Sequence, residues 1–380
     1  MSVHTAEESR LWSIILAASD GKAVDHFVAR WLGRPVPKEY CVFVGARSMF
    51  QHALDRAEQM ASSERLIAVV SPDHRQEAFQ QLDQRTIGGL LLHPPHQGTA
   101  ADVFLPLTYV RERDPDATVV VFPSDHFVYP EARFLAQVRQ AQSIVEGHPE
   151  TVLLLGVAPD RLELDYGWIG AGLPMCDHLD NKVRRVHSLV ERPSAVEADN
   201  LLHAGGLWNT RTFVAKVSTL WDIGWKTMPR SMPLFERLGK AIGCPNEALE
   251  REAIYREVSG EEFSHILGQA TERLAVLELS GVLWSEWNRP ERIAETLRRI
   301  DREPAFPLTC LDRPFIPFTR PSADGRDNGD GLSEEIHLIA ERALHHVRLK
   351  QAPRRIDKSP QAAAVVGTAV SSETGNEANV

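Results

Sequence analysis

Cysteine and basic charge are both in short supply in this sequence, and each shortage argues against a class of protein. The 380 residues include four cysteines, none of which forms a pair with metal-ligand spacing: Cys41, Cys176, Cys244 and Cys310. This pattern favours a reduced, cytoplasmic setting. Acidic residues outnumber basic ones by 52 to 42, which gives a net charge of −10. Because nucleic acids are usually bound by a basic face, we expect no nucleic acid partner.

A membrane segment is also lacking where one would be sought first, at the N-terminus. The apolar run at residues 12–18 is too short to span a bilayer, and acidic rather than basic residues precede it. We therefore expect neither a signal peptide nor an anchor, and no membrane partner. The apolar content of 43% and the charged content of 25% are ordinary for a soluble globular protein.

Short apolar runs alternate with amphipathic segments through the first 160 or so residues. Strands are predicted at residues 12–17, 66–70, 89–92, 118–122 and 152–157, and helices at residues 47–60, 72–82, 99–113 and 131–145. Such alternation predicts an α/β fold. The expected architecture is a Rossmann-like, doubly wound, mixed but mostly parallel sheet with helices on both faces.

The pattern changes after residue 166. Two antiparallel strands at residues 168–172 and 183–190 are predicted to form a small insertion, and strand and helix signals then continue to residue 300. The first domain is therefore placed at residues 9–303. A proline-rich linker and a short C-terminal helix are predicted within residues 304–350, followed by a disordered tail at 351–380.

The strand at residues 118–122 ends in Pro123, and the chain then presents Ser124, Asp125 and His126. In open α/β sheets, ligands bind beyond the carboxyl ends of the strands. A carboxylate at this place is suited to hold a hard cation against a phosphate. The alternative, that Asp125 only stabilises a turn, stays open at this point.

Eight short segments in chain order carry a resemblance to a known family. They lie at residues 14–17, 37–40, 98–101, 122–126, 163–169, 190–193, 208–209 and 284–286. Together they resemble the loops of the sugar-1-phosphate nucleotidyltransferases, most closely the bacterial mannose-1-phosphate guanylyltransferases. The resemblance covers roughly residues 11 to 300.

This resemblance implies transfer of a nucleotidyl group from a nucleoside triphosphate, expected to be GTP, to a sugar 1-phosphate, expected to be mannose 1-phosphate. The products would be pyrophosphate and a nucleotide sugar for polysaccharide synthesis. The cofactor implied is Mg²⁺, with Asp125 and Glu286 as its ligands. The two substrates are the expected partners, and a homodimer stays open.

The same resemblance implies roles for individual residues. The catalytic residues would be Lys22, Lys38 and Asp125. The nucleotide would be bound by Leu16, Ala17, Ala18, Gly21, Lys22, Gly98, Thr99 and Asp125. The sugar phosphate would be bound by Glu163, Gly167, Glu191, Arg192 and Asn209.

The loop after the first strand departs from the family pattern Leu-Ala-Gly-Gly-x-Gly-Thr-Arg-Leu. Two of its glycines are missing, Ala23 stands at the arginine position, and Asp20 adds a negative charge. Lys22 is the neighbouring cation that would substitute for the arginine. These changes keep a second hypothesis open, in which a catalytically weakened homologue acts as a sugar-nucleotide-binding regulatory subunit.

Several of these residues also have simpler interpretations. Lys38 would then be a solvated lysine, Glu191 and Arg192 a surface ion pair, and Thr99 the cap of its own helix. His93 and His96 flank two prolines, and we expect a rigid loop with two exposed histidines rather than a metal site.

Overall fold

The structure, a computed structural model, describes residues 10–18, 22–93, 98–175, 182–258 and 260–311. Its strands are β1 Leu11–Ala17, β2 Leu66–Val70, β3 Gly89–Leu92, β4 Thr118–Pro123, β5 His126–Tyr129, β6 Val152–Val157, β7 Trp168–Pro174, β8 Val183–Val190, β9 Leu207–Lys216, β10 Leu274–Leu279 and β11 Leu283–Glu286. Its α-helices are α1 Lys22–Leu32, α2 Met49–Glu58, α3 Arg75–Leu82, α4 Gly98–Arg113, α5 Glu131–Gly147, α6 Ala195–His203, α7 Val217–Thr227, α8 Met232–Ala241, α9 Glu247–Glu257, α10 Phe263–Gly268 and α11 Pro290–Arg298. Short 3₁₀ helices lie at Lys38–Tyr40, Ser63–Arg65, Pro72–His74, Thr271–Arg273 and Leu308–Cys310.

Nine strands form one mixed sheet in the order β3-β2-β1-β4-β9-β6-β10-β8-β7. Strands β1 to β4 are mutually parallel, and β6 is parallel to β10. Strand β9 enters between β4 and β6 and runs antiparallel to both. The α/β fold with a mixed sheet is therefore confirmed. Strands β8 and β9 each run antiparallel to the strands beside them, while the other seven strands share one direction.

The predicted antiparallel insertion is part of this sheet rather than a separate unit. Strands β7 and β8 pair with each other, and β8 continues the main sheet by pairing with β10. Strand β7 also pairs with β9, so that the strands β9, β6, β10, β8 and β7 close into a ring. Apolar runs predict that strands exist, but they carry no information on direction or neighbour.

Both faces of the sheet are covered, as the sequence predicts. Along β1, Leu11 and Ile15 pack into one apolar core, while Trp12 and Ile14 pack into the other. This alternation is the period of two that a strand buried on both sides must show. Residues of α1, α2, α3, α5, α6 and α11 fill the first core, and residues of α4, α7, α8, α9 and α10 fill the second.

Helix α1 was not predicted, although its sequence carries the helical signal. Its apolar residues Val24, Phe27, Val28 and Trp31 recur at the spacing of one helix face. Phe27 also packs against Phe306, with ring centroids 4.8 Å apart. The packed core therefore extends past the domain boundary predicted at residue 303.

The predicted C-terminal helix and tail lie outside the described residues. Within the described ranges, no helix combines the length and the apolar character that a membrane crossing requires.

Candidate active site

The candidate site begins where two parallel strands end side by side. Strands β1 and β4 are neighbours, with Leu16 opposite Pro123. The backbone N–H of Ser124 donates to the carbonyl of Leu16 over 2.9 Å. The predicted nucleotide-binding residues Leu16, Ala17 and Ala18 therefore lie at the same edge of the sheet as Asp125, and this is the edge at which open α/β sheets bind ligands.

A second, two-stranded sheet brings Glu286 to this edge. Strand β11 pairs antiparallel with β5, which places Glu286 opposite His126. The backbone N–H of Trp287 also donates to the carbonyl of Asp125 over 3.1 Å. One side-chain ligand atom from each of Asp125, His126 and Glu286 then lies within 4.8 Å of the others, and all three residues are buried.

Lys38 completes the buried part of the cluster. Its Nζ lies 2.7 Å from Oδ2 of Asp125 and is screened from solvent. The backbone N–H of Lys38 donates to Oδ1 of Asp25 in the first turn of α1, over 3.1 Å. This contact connects the Lys38 segment to the helix that follows the β1 loop. The solvated lysine considered from the sequence is therefore wrong.

Burial and charge act against each other in this cluster. Burial alone would lower the pKa of Lys38, but the charges of Asp125, Glu39 and Glu286, together with the hydrogen bond to Asp125, outweigh burial and raise the pKa. Burial alone would raise the pKa of Asp125, but Lys38 holds it well below the ordinary carboxyl range. Both groups are therefore charged at neutral pH. Burial raises the pKa of Glu286, while the nearby guanidinium of Arg211 opposes the rise.

His126 offers a hydrogen-bond donor to this cluster. The indole N–H of Trp284 donates to Nδ1 of His126 over 3.3 Å, so Nδ1 must accept. Burial lowers the pKa of His126 to about 4, and the neutral ring then carries its proton on Nε2. Among the described residues this buried Nε2 has no hydrogen-bond partner, although Oδ1 of Asp125 lies 3.5 Å away.

This tautomer of His126 determines which ligand atoms the cluster can offer to a metal ion. A protonated Nε2 has no lone pair for a metal, so the carboxylates of Asp125 and Glu286 are the ligands that the cluster offers. Carboxylate oxygens are the donors that Mg²⁺ prefers, usually one or two of them together with water and substrate phosphate. The residues present therefore fit a hard divalent cation better than zinc.

The predicted sugar-binding residues converge beside the same cluster. The backbone N–H of Asn209 donates to the carbonyl of Gly167 over 2.8 Å. A Cβ on Gly167 would lie 2.7 Å from Oε1 of Glu191, so the glycine leaves room for that carboxylate. The adjacent Arg192 is exposed and has a positive φ of 48°.

Arg211 connects the two halves of the site and was not predicted. One guanidinium nitrogen lies 3.0 Å from Oε2 of Glu191, and another lies 3.7 Å from Oε1 of Glu286. Its backbone has a φ of 54°, and its N–H donates to Oδ1 of Asn209 over 2.9 Å. The sequence did carry a signal, because Arg211 stands where the Trp-Asn-Ser-Gly turn of the resembled family has glycine.

Comparison with known proteins assigns the chain to a protein family. The family model described as "Nucleotidyl transferase" matches residues 30–236, more than half of the chain. The chain belongs to the nucleotidyl transferase family. The resemblance inferred from the eight loop segments is thereby confirmed.

This member of the family also matches parts of longer curated proteins. It is 29% identical to the xanthan biosynthesis protein XanB of Xanthomonas campestris over 185 residues, which is 48% of this chain and 38% of XanB. It is 26% identical to the alginate biosynthesis protein AlgA of Pseudomonas aeruginosa, over 48% of this chain and 37% of AlgA. The chain therefore spans less than two fifths of the length of these relatives.

Solved structures show the same fold. A Thermus thermophilus protein described as a mannose-1-phosphate geranyltransferase superposes with a TM-score of 0.62 and 20% identity, over 77% of this chain and 80% of that chain. A protein from Helicobacter pylori described as a mannose-6-phosphate isomerase superposes with a TM-score of 0.56 and 18% identity, over 72% of this chain and 99% of that chain.

Other predicted site residues have local partners. The carboxylate of Glu163 accepts hydrogen bonds from the guanidinium of Arg292, over 2.9 Å, and from the N–H of Asp165. Arg292 is buried and lies over the ring of Tyr166. Glu163 therefore orders the loop that precedes Gly167, in addition to any contact with a sugar.

Gly98 and Thr99 open helix α4, beyond the end of β3. The Thr99 hydroxyl donates to Oε2 of Glu262 and accepts from the N–H of Phe263. Thr99 therefore caps α10 and not its own helix, so the capping interpretation from the sequence is wrong. The reason is tertiary, since the preceding Gly98 has a φ of 69° and packs against the backbone of Glu261.

Four further predicted positions are corrected or are described only in part or not at all. The Nδ1 of His93 contacts Oδ1 of buried Asp102, so His93 is not the exposed histidine that the sequence suggested. Gly21 and His96 lie outside the described residues. Lys22 is described only as the first residue of α1.

Proposed function

We propose that this nucleotidyl transferase moves a nucleotidyl group from a nucleoside triphosphate to a sugar 1-phosphate and releases pyrophosphate. The observation that carries the proposal is the buried pair of carboxylates, Asp125 and Glu286, beside Lys38 at the carboxyl edge of the sheet. Ligands of doubly wound sheets bind at this edge. Family membership adds the reaction class.

The residues of the cluster have different roles in neutralising charge. Transfer of this kind depends on positioning and on electrostatic stabilisation rather than on covalent chemistry by the protein. Asp125 and Glu286 would hold Mg²⁺, which would neutralise charge on the phosphate oxygens. Lys38 keeps Asp125 ionised and fixed in place. The Nε2–H of His126 supplies a donor next to that carboxylate.

We further propose GTP and mannose 1-phosphate as the substrates. A Vibrio cholerae protein named as a candidate mannose-1-phosphate guanylyltransferase is 26% identical to this chain over 175 residues, which cover 36% of its own length. The names of XanB and AlgA suggest a product used in polysaccharide synthesis. These names, together with the loop resemblance, support the choice of base and sugar.

A pyrophosphate-release assay tests the proposal. The full chain would be assayed with Mg²⁺ against a panel of nucleoside triphosphates and sugar 1-phosphates, with GTP and mannose 1-phosphate expected to give the highest kcat/KM. Glu286→Gln should lower kcat by about a hundredfold or more, the usual effect of losing one electrostatic contact in a transition state. The control is Glu272→Gln, an exposed carboxylate paired with Lys226, which should leave kcat unchanged.

A second candidate function is ligand binding without turnover. It is favoured by the pairing of both carboxylates with cations of the chain, Asp125 with Lys38 and Glu286 with Arg211. The altered loop at residues 18–23 favours it as well. Calorimetric binding of GDP-mannose with no pyrophosphate release from any substrate pair would establish this function, and measurable turnover would exclude it.

A further inference from the structure

Arg211 is the residue that contacts both the sugar side and the cation side of the site. Its guanidinium lies 3.0 Å from Glu191 and 3.7 Å from Glu286. We infer that Arg211 exchanges partners as the site fills: it holds Glu286 before a cation binds, and it binds the phosphate of the sugar 1-phosphate once a divalent cation neutralises Glu286. This inference rests on the proposed function.

Accessibility distinguishes Arg211 from the other cation of the cluster. The side chain of Lys38 is 3% exposed and already committed to Asp125, whereas the side chain of Arg211 is 44% exposed. A guanidinium has five N–H donors and pairs readily with phosphate oxygens through two of them. Its two carboxylate partners occupy only part of this capacity. Arg211 therefore has donors that an incoming phosphate can reach.

The charge of the cluster explains why the exchange needs a cation. Asp125, Glu286 and Glu191 contribute three negative charges, and Lys38 and Arg211 contribute two positive charges. One net negative charge remains, which disfavours binding of a phosphate dianion. A divalent cation reverses that sign and takes over the neutralisation of Glu286. Cation and phosphate should therefore strengthen the binding of each other, as linkage requires.

The backbone of Arg211 also points to a role for its side chain. A φ of 54° is a left-handed conformation that favours glycine and is uncommon for a long side chain. The hydrogen bond from its N–H to Oδ1 of Asn209 holds this conformation. Residues kept in such conformations cluster at ligand sites. Because glycine adopts this φ freely, Arg211→Gly removes the side chain without straining the turn.

The experiment measures two affinities of the full chain by calorimetry. The probes are Mn²⁺ alone, and mannose 1-phosphate in saturating Mn²⁺. Arg211→Gly should bind Mn²⁺ about tenfold more tightly, because a competing cation is gone. The same variant should bind mannose 1-phosphate at least about tenfold more weakly, because charged hydrogen bonds to phosphate are lost. Arg211→Lys should fall between wild type and Arg211→Gly in both measurements.

The control is Arg237→Ala. Arg237 is 54% exposed and pairs with Glu250 on the neighbouring helix, so it matches Arg211 in exposure and in having a glutamate partner. Both affinities should stay at the wild-type values in this variant. Thermal unfolding of each variant would show that the fold is retained.

Opposite shifts of the two affinities in Arg211→Gly support the inference, because loss of structure would weaken both. If wild type binds both probes and Arg211→Gly changes neither or weakens both, the inference is overturned while the proposed function stands. If wild type binds neither probe, the proposed function and the inference fail together.

Discussion

The ammonium nitrogen of Lys38 lies 2.7 Å from Oδ2 of Asp125, and both side chains are buried in the candidate active site. A buried ion pair is costly to form, but it is still more costly to break by removing one partner. Lys38 therefore neutralises the negative charge of Asp125 as long as no metal cation is bound, and this keeps Asp125 ionised inside the protein. The same pair therefore affects both the stability of the domain and the proposed binding of a cation by Asp125.

The first prediction is that breaking this pair from either side destabilises the domain. Lys38→Met leaves the Asp125 charge uncompensated and should lower the free energy of unfolding by about 3–5 kcal/mol. Asp125→Asn should cost a similar amount through the stranded Lys38 charge. Removing both charges in Lys38→Met/Asp125→Leu should recover much of the loss. Urea unfolding in the presence of a chelator measures all three variants.

The exposed pair of Lys226 and Glu272 provides the comparison. Both of its side chains are more than half exposed, so Lys226→Ala should cost less than about 1 kcal/mol. If Lys38→Met were no more damaging than Lys226→Ala, the Lys38–Asp125 pair would not be the buried contact described here.

The second prediction concerns acid sensitivity and His126. Burial lowers the pKa of His126 to about 4 from an ordinary value of 6.5, so the unfolded chain binds the proton more readily. The free energy of unfolding should therefore fall as the pH drops from about 6.5 to about 4. The contribution of this one group is up to about 3 kcal/mol.

In His126→Gln this part of the pH dependence should be absent. Urea unfolding at pH 7 and pH 4.5, with chelator, compares the variant with wild type. His203→Gln serves as the control, because the His203 side chain is 76% exposed. Equal pH slopes for wild type and His126→Gln would contradict the prediction.

Much of the fold could be predicted from local patterns, because each pattern acts over a few residues. The buried run at residues 118–122 became β4, and the helix predicted at residues 131–145 became α5. The spacing of Val24, Phe27 and Val28 also carries the helical signal of α1.

Contacts between distant segments could not be predicted in this way. The pairing of Glu286 with His126 joins residues 160 positions apart, and no local pattern indicates it. The prediction that Glu286 is a metal ligand therefore rested only on the family resemblance. Arg211 was missed for the opposite reason. The family resemblance assigns roles only to residues that match the family pattern, and Arg211 departs from the family turn.

The third prediction contrasts two glycines of the site. A Cβ at Gly167 would meet only the carboxylate of Glu191, the flexible end of a side chain, at 2.7 Å. Gly167→Ala should therefore change the free energy of unfolding by less than about 1 kcal/mol. Because Glu191 must move away from Arg211, binding of mannose 1-phosphate should nevertheless weaken, as calorimetry would show.

Gly98, in contrast to Gly167, is required for the stability of the fold. It has a φ of 69°, and its Cβ would lie 2.4 Å from the backbone carbonyl oxygen of Glu261, which cannot swing aside. Gly98→Ala should cost more than about 1 kcal/mol of stability. A Gly167→Ala variant that is destabilised as much as Gly98→Ala would show that the Glu191 carboxylate is rigidly held.

The fourth prediction is that Glu163 stabilises the fold in addition to its predicted contact with the sugar phosphate. Its carboxylate accepts from Arg292, which is 6% exposed and packs over Tyr166. Glu163→Gln should lower the free energy of unfolding by about 1–3 kcal/mol, because Arg292 loses a charged partner in a buried place. Chemical denaturation measures the loss. A variant with wild-type stability and weakened sugar-phosphate binding would instead make Glu163 purely a ligand of the sugar.

The last prediction concerns the loop between β1 and α1. Lys22 is the first residue of α1, and Asp25 in the same first turn accepts the N–H of Lys38. A helix N-terminus at the edge of the sheet favours an anion, so this is where the triphosphate would lie. The family pattern has arginine where this chain has Ala23, and a lysine lacks the two-pronged contact of a guanidinium.

We therefore expect slow turnover that depends on Lys22. Lys22→Ala should lower kcat by about a hundredfold, and the triple variant Asp20→Ser, Lys22→Thr and Ala23→Arg should raise it by at least about tenfold. Both effects are read in the pyrophosphate-release assay, with triphosphate affinity measured separately by calorimetry. If the triple variant binds triphosphate as tightly as wild type and remains inert, the missing arginine is not what limits turnover, and the binding function gains weight.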